Sequence, residues 1–112
     1  MTTYKVFISQ PMNGRLEEDI LKERAMIIDM LNNLGLGLGP MGVKVEIIDS
    51  FFLKEPDCRN KPLGYLAESL RLLGEADVAV FAPGWKEARG CCIEHTCAEE
   101  YGISVVSLTR LV

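Results

Sequence analysis

The chain has 112 residues, 48% of them hydrophobic and 25% charged, with a formal net charge of −4. That is the size and make-up of one globular domain spanning 1–112, with enough apolar residues to bury a core. A negative balance disfavours broad contact with a nucleic-acid polymer, yet a small phosphate-bearing ligand needs only amides and one or two cations.

At the N-terminus, Met1-Thr2-Thr3-Tyr4-Lys5 has no signal-peptide pattern, and no apolar run approaches the ~20 residues that span a bilayer. A cytoplasmic protein without membrane contact is expected. Lys5-Val6-Phe7-Ile8-Ser9 is a β-prone run, halted by Gln10-Pro11-Met12-Asn13-Gly14, whose proline and Asn-Gly pair demand a turn. Helix follows. Glu17, Glu18 and Asp19 suit its positive dipole end, and Ile20, Leu21, Ile27, Ile28, Leu31 and Leu34 recur at helical spacing. From Gly35 to Gly42, alternating glycines and Pro40 end the helix. They read as a flexible connection rather than a phosphate cradle, because a strand follows.

That strand is Val43 to Ile48, and Asp49 to Lys61 reads as a loop with Pro56, Asp57, Asn60 and Pro62 as breakers. A second helix fits Leu63 to Gly74, with Leu66, Leu70 and Leu73 on one face. Asp77 to Ala82 is a third strand, apolar enough to be buried on both faces. Pro83-Gly84-Trp85 forms a loop, Gly90 to Tyr101 a third helix, and Ile103 to Leu108 a last strand.

The order β-α-β-α-β-α-β predicts an α/β fold, a Rossmann-like (flavodoxin-like) three-layer sandwich around a mostly parallel sheet of four or five strands. Ligands of such sheets bind outside the carboxyl ends of the strands. Here those ends are Ser9 to Gly14, Asp49-Ser50, Pro83-Gly84-Trp85 and Thr109-Arg110.

Two carboxylates stand out near that edge. Asp77 opens a buried strand, and Glu94 falls early in the third helix, where the dipole lowers a carboxyl pKa and leaves an ionised nucleophile. A carboxylate that attacks a glycosyl carbon forms a covalent intermediate for water or another acceptor to resolve. The alternative makes Glu94 a solvated helix residue and Asp77 a cap. Arg15 and Arg89 suit a phosphate, or else are solvated surface cations. The Gln10-to-Gly14 turn ahead of a helix suits an anion but lacks the lysine and Ser/Thr of a P-loop.

Cys58, Cys91, Cys92 and Cys97 are expected as reduced thiols, since the adjacent pair does not suit a disulfide framework. Cys91 and His95 lie one helical turn apart, but no Cys-x-x-Cys pair completes a ligand set, so neither metal nor cofactor is expected. Cys91 at a helix start is alternatively a thiol of lowered pKa. Trp85 suits stacking on a base or sealing a subunit contact.

Three stretches together resemble the nucleoside 2-deoxyribosyltransferase-like superfamily, which includes the 2′-deoxynucleoside 5′-phosphate N-hydrolases. They are Val6 to Arg15, Glu75 to Trp85, and Arg89 to Ala98 with Tyr101 to Val106 behind it. The shared pattern is an acid before an apolar strand, a Pro-Gly turn, then glycine, glutamate and an alanine one turn on. Within the group the chain looks most like the small bacterial and phage members.

The resemblance implies an N-glycosidic-bond hydrolase or transferase acting on a 2′-deoxynucleoside or its 5′-monophosphate. Glu94 would be the nucleophile and Asp77 the acid assisting the departing base. Gly90 would allow close approach of the ligand. Phe7, Ser9, Gln10, Met12, Asn13, Gly14 and Arg15 would line the site from strand 1, with Pro83, Gly84, Trp85 and Arg89 opposite. A homodimer or higher homo-oligomer is implied too. The sequence departs from the family at Phe7, where a tyrosine often steadies the glutamate, and at Ala88, where the transferases carry a second acid. Those departures, Phe7 above all, suit a non-catalytic nucleotide-binding or sequestering protein on the same fold.

Overall fold

The computed structural model describes residues 3–33, 44–51 and 53–110. Four strands, β1 (Thr3–Ser9), β2 (Lys44–Ile47), β3 (Val78–Phe81) and β4 (Ser104–Ser107), alternate with α1 (Glu17–Asn33), α2 (Lys61–Leu73) and α3 (Arg89–Glu100). They form one sheet in the order β2-β1-β3-β4, with every pair parallel. The expected α/β architecture is what the chain adopts. The glycine-rich stretch from Gly35 to Gly42, with Leu34 and Val43, lies outside the described residues.

The order of strands decides where the helices go. From β1 the chain steps to β2 on one side, then crosses back over β1 to reach β3 and β4 on the other. Since crossovers keep one hand, reversing direction moves the connecting helix to the opposite face. The core accordingly falls into two halves. Val6, Ile8, Val80 and Ala82 pack with Ile27 and Leu31 of α1. Phe7, Ala79 and Phe81 pack with Leu73 of α2 and with Cys91 and Ala98 of α3. Alternate residues of a strand face opposite ways, so β1 serves both halves and β3 is buried on both faces as expected. Removing a large apolar side chain from water contributes roughly 1.5–3 kcal/mol, and Phe7, Phe81, Ile8, Ile27, Leu31, Leu73 and Val80 are all fully buried.

Element ends differ from the sequence expectation where local capping decides them. Helix α2 starts at Lys61, two residues before the expected Leu63. The Asn60 side chain accepts from Leu63 N at 3.1 Å, and Pro62 sits in the first turn, where a missing N–H costs nothing. Asn60 and Pro62 therefore begin a helix rather than break one. A short 3-10 turn, Trp85–Glu87, separates β3 from α3 and was not signalled by composition.

Candidate active site at the carboxyl edge of the sheet

Between β1 and β3 the chain leaves the sheet in opposite directions, which opens a crevice at their carboxyl ends. Ser9 stands opposite Phe81 in the register, and Ala82 N donates to Ser9 O at 2.9 Å to prolong the pairing. Both strand exits then turn sharply. Arg15 N donates to Met12 O at 3.2 Å, with Gly14 at φ 77°, and Trp85 N donates to Ala82 O at 3.2 Å, with Gly84 at φ 85°. Positive φ at the third position of each turn is a conformation that glycine adopts without penalty. The two turns come close: a Cβ built on Gly84 would lie 3.8 Å from the Pro11 ring.

At this crevice Glu94 is buried, with 7% of its surface exposed. Ser9 Oγ donates to Glu94 Oε1 at 2.6 Å, and Ser69 Oγ of α2 donates to Oε2. Burial pushes the Glu94 carboxyl above its ordinary range, opposed by the hydroxyl bonds from Ser69 and Ser9. The sequence expectation was the reverse, a pKa lowered by the helix dipole. Glu94 is the sixth residue of α3, beyond the first turn where the dipole acts, and desolvation outweighs it.

The companion acid is elsewhere. Asp77 precedes β3, and so stands at the amino edge of the sheet, exposed, with Oδ2 accepting from Lys5 N at 2.8 Å. Lys5 is four residues before Ser9 on β1, which at ~3.3 Å per residue sets Asp77 about 13 Å along the strand from the Glu94 contact. The expectation that Asp77 and Glu94 share a cleft is corrected. A residue before a parallel strand and one in the helix after it belong to opposite edges.

Other expected site residues divide in the same concrete way. Phe7 shares Ser9's face of β1 but is 1% exposed beneath α2 and α3, so it is a core residue and not a ligand contact. Gln10 turns to the α1 side, its Nε2 donating to Ile20 O and to Glu23 Oε1, each at 3.0 Å. Arg15 Nη1 lies 3.0 Å from the same Glu23 oxygen and donates to Pro11 O at 2.8 Å. Met12, Asn13 and Gly14 are exposed on the first turn, while Arg89 is exposed at the start of α3. A Cβ on Gly90 would meet no atom of the described residues within 4 Å. Pro83 is half-buried beside Gly84.

Trp85 is half-buried and stacked on His95, ring centroids 4.1 Å apart and planes 8° from parallel, with Phe81 beside both. His95 Nδ1 also lies 3.2 Å from Glu99 Oε1. Cys91 is buried and its thiol is pushed up to about 11, mainly by desolvation, so the alternative of a reactive helix-start thiol is corrected.

Three contributors went unnoticed in the sequence. Ser69 lies three residues after Leu66 and four before Leu73, inside the apolar stripe of α2, and a small hydroxyl on a buried face is the signal that marks it. Glu23 and Arg24 of α1 are the others. Arg24 is buried, its guanidinium donating to Gln10 Oε1 at 3.4 Å, Ile48 O at 3.0 Å and Ser50 Oγ at 3.4 Å. It ties the ends of β1 and β2 together. Comparison with protein-family models, curated proteins and solved structures found no match for this chain.

Proposed function

We propose that the chain cleaves or transfers the N-glycosidic bond of a 2′-deoxynucleoside or its 5′-monophosphate, with Glu94 as nucleophile. The observation that carries this reading is the burial of Glu94 at the sheet's switch point, each oxygen held by one serine hydroxyl. A carboxylate offers about four acceptor positions, so two hydroxyl donors fix its plane and leave electron pairs for a carbon electrophile. One Glu94 oxygen bonds to the anomeric carbon as the C1′–N bond breaks, and water or a second base then displaces the glutamate. The leaving-group role that the resemblance gives Asp77 is not part of this proposal, because Asp77 is bonded to Lys5 N at the other edge. The test is incubation with deoxynucleosides and their 5′-monophosphates, with released base measured by chromatography.

A nucleotide-binding protein without turnover is the second reading, favoured by Phe7 lying in the core and by Asp77 lying at the far edge. Thermal stabilisation by deoxynucleotides without release of base would establish it. Either reading carries the expectation of a homodimer through α3 and the Trp85 turn, where Ile93 and Tyr101 supply exposed apolar surface. Sedimentation at micromolar concentration tests that expectation.

A further inference from the structure

A carboxyl attacks a sugar carbon only as its anion, and the burial of Glu94 opposes that form. Desolvation raises its pKa, and the hydroxyls of Ser69 and then Ser9 act against the rise. Ser9 Oγ meets Glu94 Oε1 at 2.6 Å, the separation of a hydroxyl donating to a charged oxygen rather than the ~2.7–2.8 Å of a neutral pair. Ser69 Oγ meets the other oxygen, Oε2. A bond donated to a carboxylate is stronger to the anion than to the acid, so a donor on each oxygen favours the charge that burial resists.

The two donors reach Glu94 by different routes. Ser9 ends β1, where the pairing with Phe81 fixes it. Ser69 comes from inside α2 and bridges to α3. A serine inside a helix has an acceptor of its own in the carbonyl four residues back, here that of Tyr65. Ser69 is turned to Glu94 instead. Its place is set by Leu70 and Leu73 beside it, which pack with Phe7, Cys91 and Ala98.

The charged and titratable groups around this pair have settled partners. On α3 the Cys91 thiol, one turn before Glu94, is pushed up to about 11 by burial above all, so it stays neutral while a carboxyl titrates. His95 is stacked on Trp85 with Nδ1 beside Glu99. On α2, Glu68 pairs with Arg71 at 2.7 Å, and on α1, Glu23 pairs with Arg15 at 3.0 Å. After β2, Asp49 Oδ1 accepts from Phe51 N at 3.3 Å.

We propose that Ser69 is a positioning residue for the glycosidic step, the α2 donor that holds buried Glu94 as a charged and aligned nucleophile. This proposal rests on the glycosidase reading of Glu94. Ser69 acts through the carboxylate rather than on the sugar, so the packing of α2 against α3 governs whether the nucleophile is ready.

The experiment follows two readouts across pH in wild type, Ser69→Ala, Ser69→Cys and Ser69→Thr. One is kcat/KM for base release from 2′-deoxyadenosine, 2′-deoxyguanosine, 2′-deoxycytidine and thymidine. The other is the Glu94 carboxyl titration by carbon NMR, assigned by the signal that Glu94→Gln removes. Loss of a hydrogen bond to a charged group should move the acid limb of kcat/KM up by about one pH unit or more in Ser69→Ala, and the NMR titration with it. Ser69→Cys, similar in shape but a weak donor, should move the same way and decides the matter if the alanine protein does not fold. Ser69→Thr keeps a hydroxyl and should stay near wild type. Release lowered by one factor at every pH, with the titration unmoved, would overturn the proposal. So would a downward move, which would make Glu94 the donor and Ser69 the acceptor. Absence of release from every protein, with wild type folded by circular dichroism, would overturn the glycosidase reading instead, and the NMR titration would still decide whether Ser69 holds the charge.

Discussion

Ser9 and Glu94, 85 positions apart in the chain, share a 2.6 Å hydrogen bond at the carboxyl edge of the sheet. With Ser69 on the other oxygen, the carboxylate joins β1, α2 and α3 at one point. The steadying hydroxyl that the family resemblance sought at Phe7 has a counterpart in these two serines. Replacing either by alanine removes a donor from a buried carboxyl and is expected to cost about 1–3 kcal/mol of folding stability. The two losses should not add, because they act on one group. Urea unfolding of Ser9→Ala, Ser69→Ala and the double variant measures the coupling, and strict additivity would show that the carboxylate does not link them.

Stability should also depend on pH through Glu94. Its folded pKa is raised, by burial above all, so the folded state holds the proton to higher pH than the unfolded chain does. Above the unfolded value of ~4.3 the native state binds more protons, and the slope of unfolding free energy with pH is negative. The contribution is therefore complete below that value and is lost as pH rises through the folded pKa. Glu94→Gln has no such proton to lose. Relative to wild type, it should gain stability over that interval and none below ~4. Parallel unfolding curves across this range would remove the claim that burial dominates at Glu94.

At the other edge, Asp77→Ala should leave base release within about twofold of wild type while lowering stability by roughly 0.5–1.5 kcal/mol, the value of one hydrogen bond. The lost bond is the one from Lys5 N at 2.8 Å, which starts the pairing of β1 with β3. A fall in kcat of a hundredfold or more, about what removing a general acid costs, would return Asp77 to the chemistry.

How much of this was legible beforehand follows from the range of each interaction. Periodicity and turn chemistry act over a few residues, so the alternation of β1 to β4 with three helices could be read, as could the turns at Gly14 and Gly84. Glu94 drew notice because its type and its place after a strand and a Pro-Gly turn are both local. The misreadings concern partners distant in sequence. Asp77 drew its leaving-group role from the resemblance, whereas a residue that opens a parallel strand stands at the amino edge, away from the helix that follows. Phe7 and Ser9 look alike in a strand pattern, yet only Ser9 reaches the rim where Glu94 lies. The binding of Glu94 by Ser69 depends on how α2 and α3 pack, which no window along the chain contains.

Packing also makes a test of α2. A Cβ on Gly64 would lie 2.5 Å from Cys58 Sγ and 2.6 Å from Pro56 Cβ, so the 56–58 segment rests directly on the helix backbone. Gly64→Ala gains helix propensity of up to about 1 kcal/mol, but forcing a methyl into this contact costs typically 1–3 kcal/mol. Net destabilisation is expected, with partial recovery when Cys58 is also changed to glycine. A stabilised Gly64→Ala protein in thermal unfolding would show that the 56–58 segment does not pack there.

The decisive substitution remains Glu94→Gln. The amide keeps the volume and an acceptor oxygen, so one of the two serine bonds survives and the fold should be retained. What it lacks is a carboxylate oxygen able to bond to the anomeric carbon and to stabilise the positive charge that develops there. Base release from any accepted deoxynucleoside should therefore fall by at least about a thousandfold, a loss of roughly 4 kcal/mol of transition-state stabilisation. Binding should change far less, because the substitution exchanges one carboxylate oxygen for an amide nitrogen of the same size. Two measurements on the same preparation separate the readings: chromatography of released base and calorimetric affinity for the intact ligand. Lost release with retained affinity is the expected pair. Release unchanged by the substitution would remove Glu94 as nucleophile, and affinity without release in both proteins would leave a binder whose buried glutamate serves the fold.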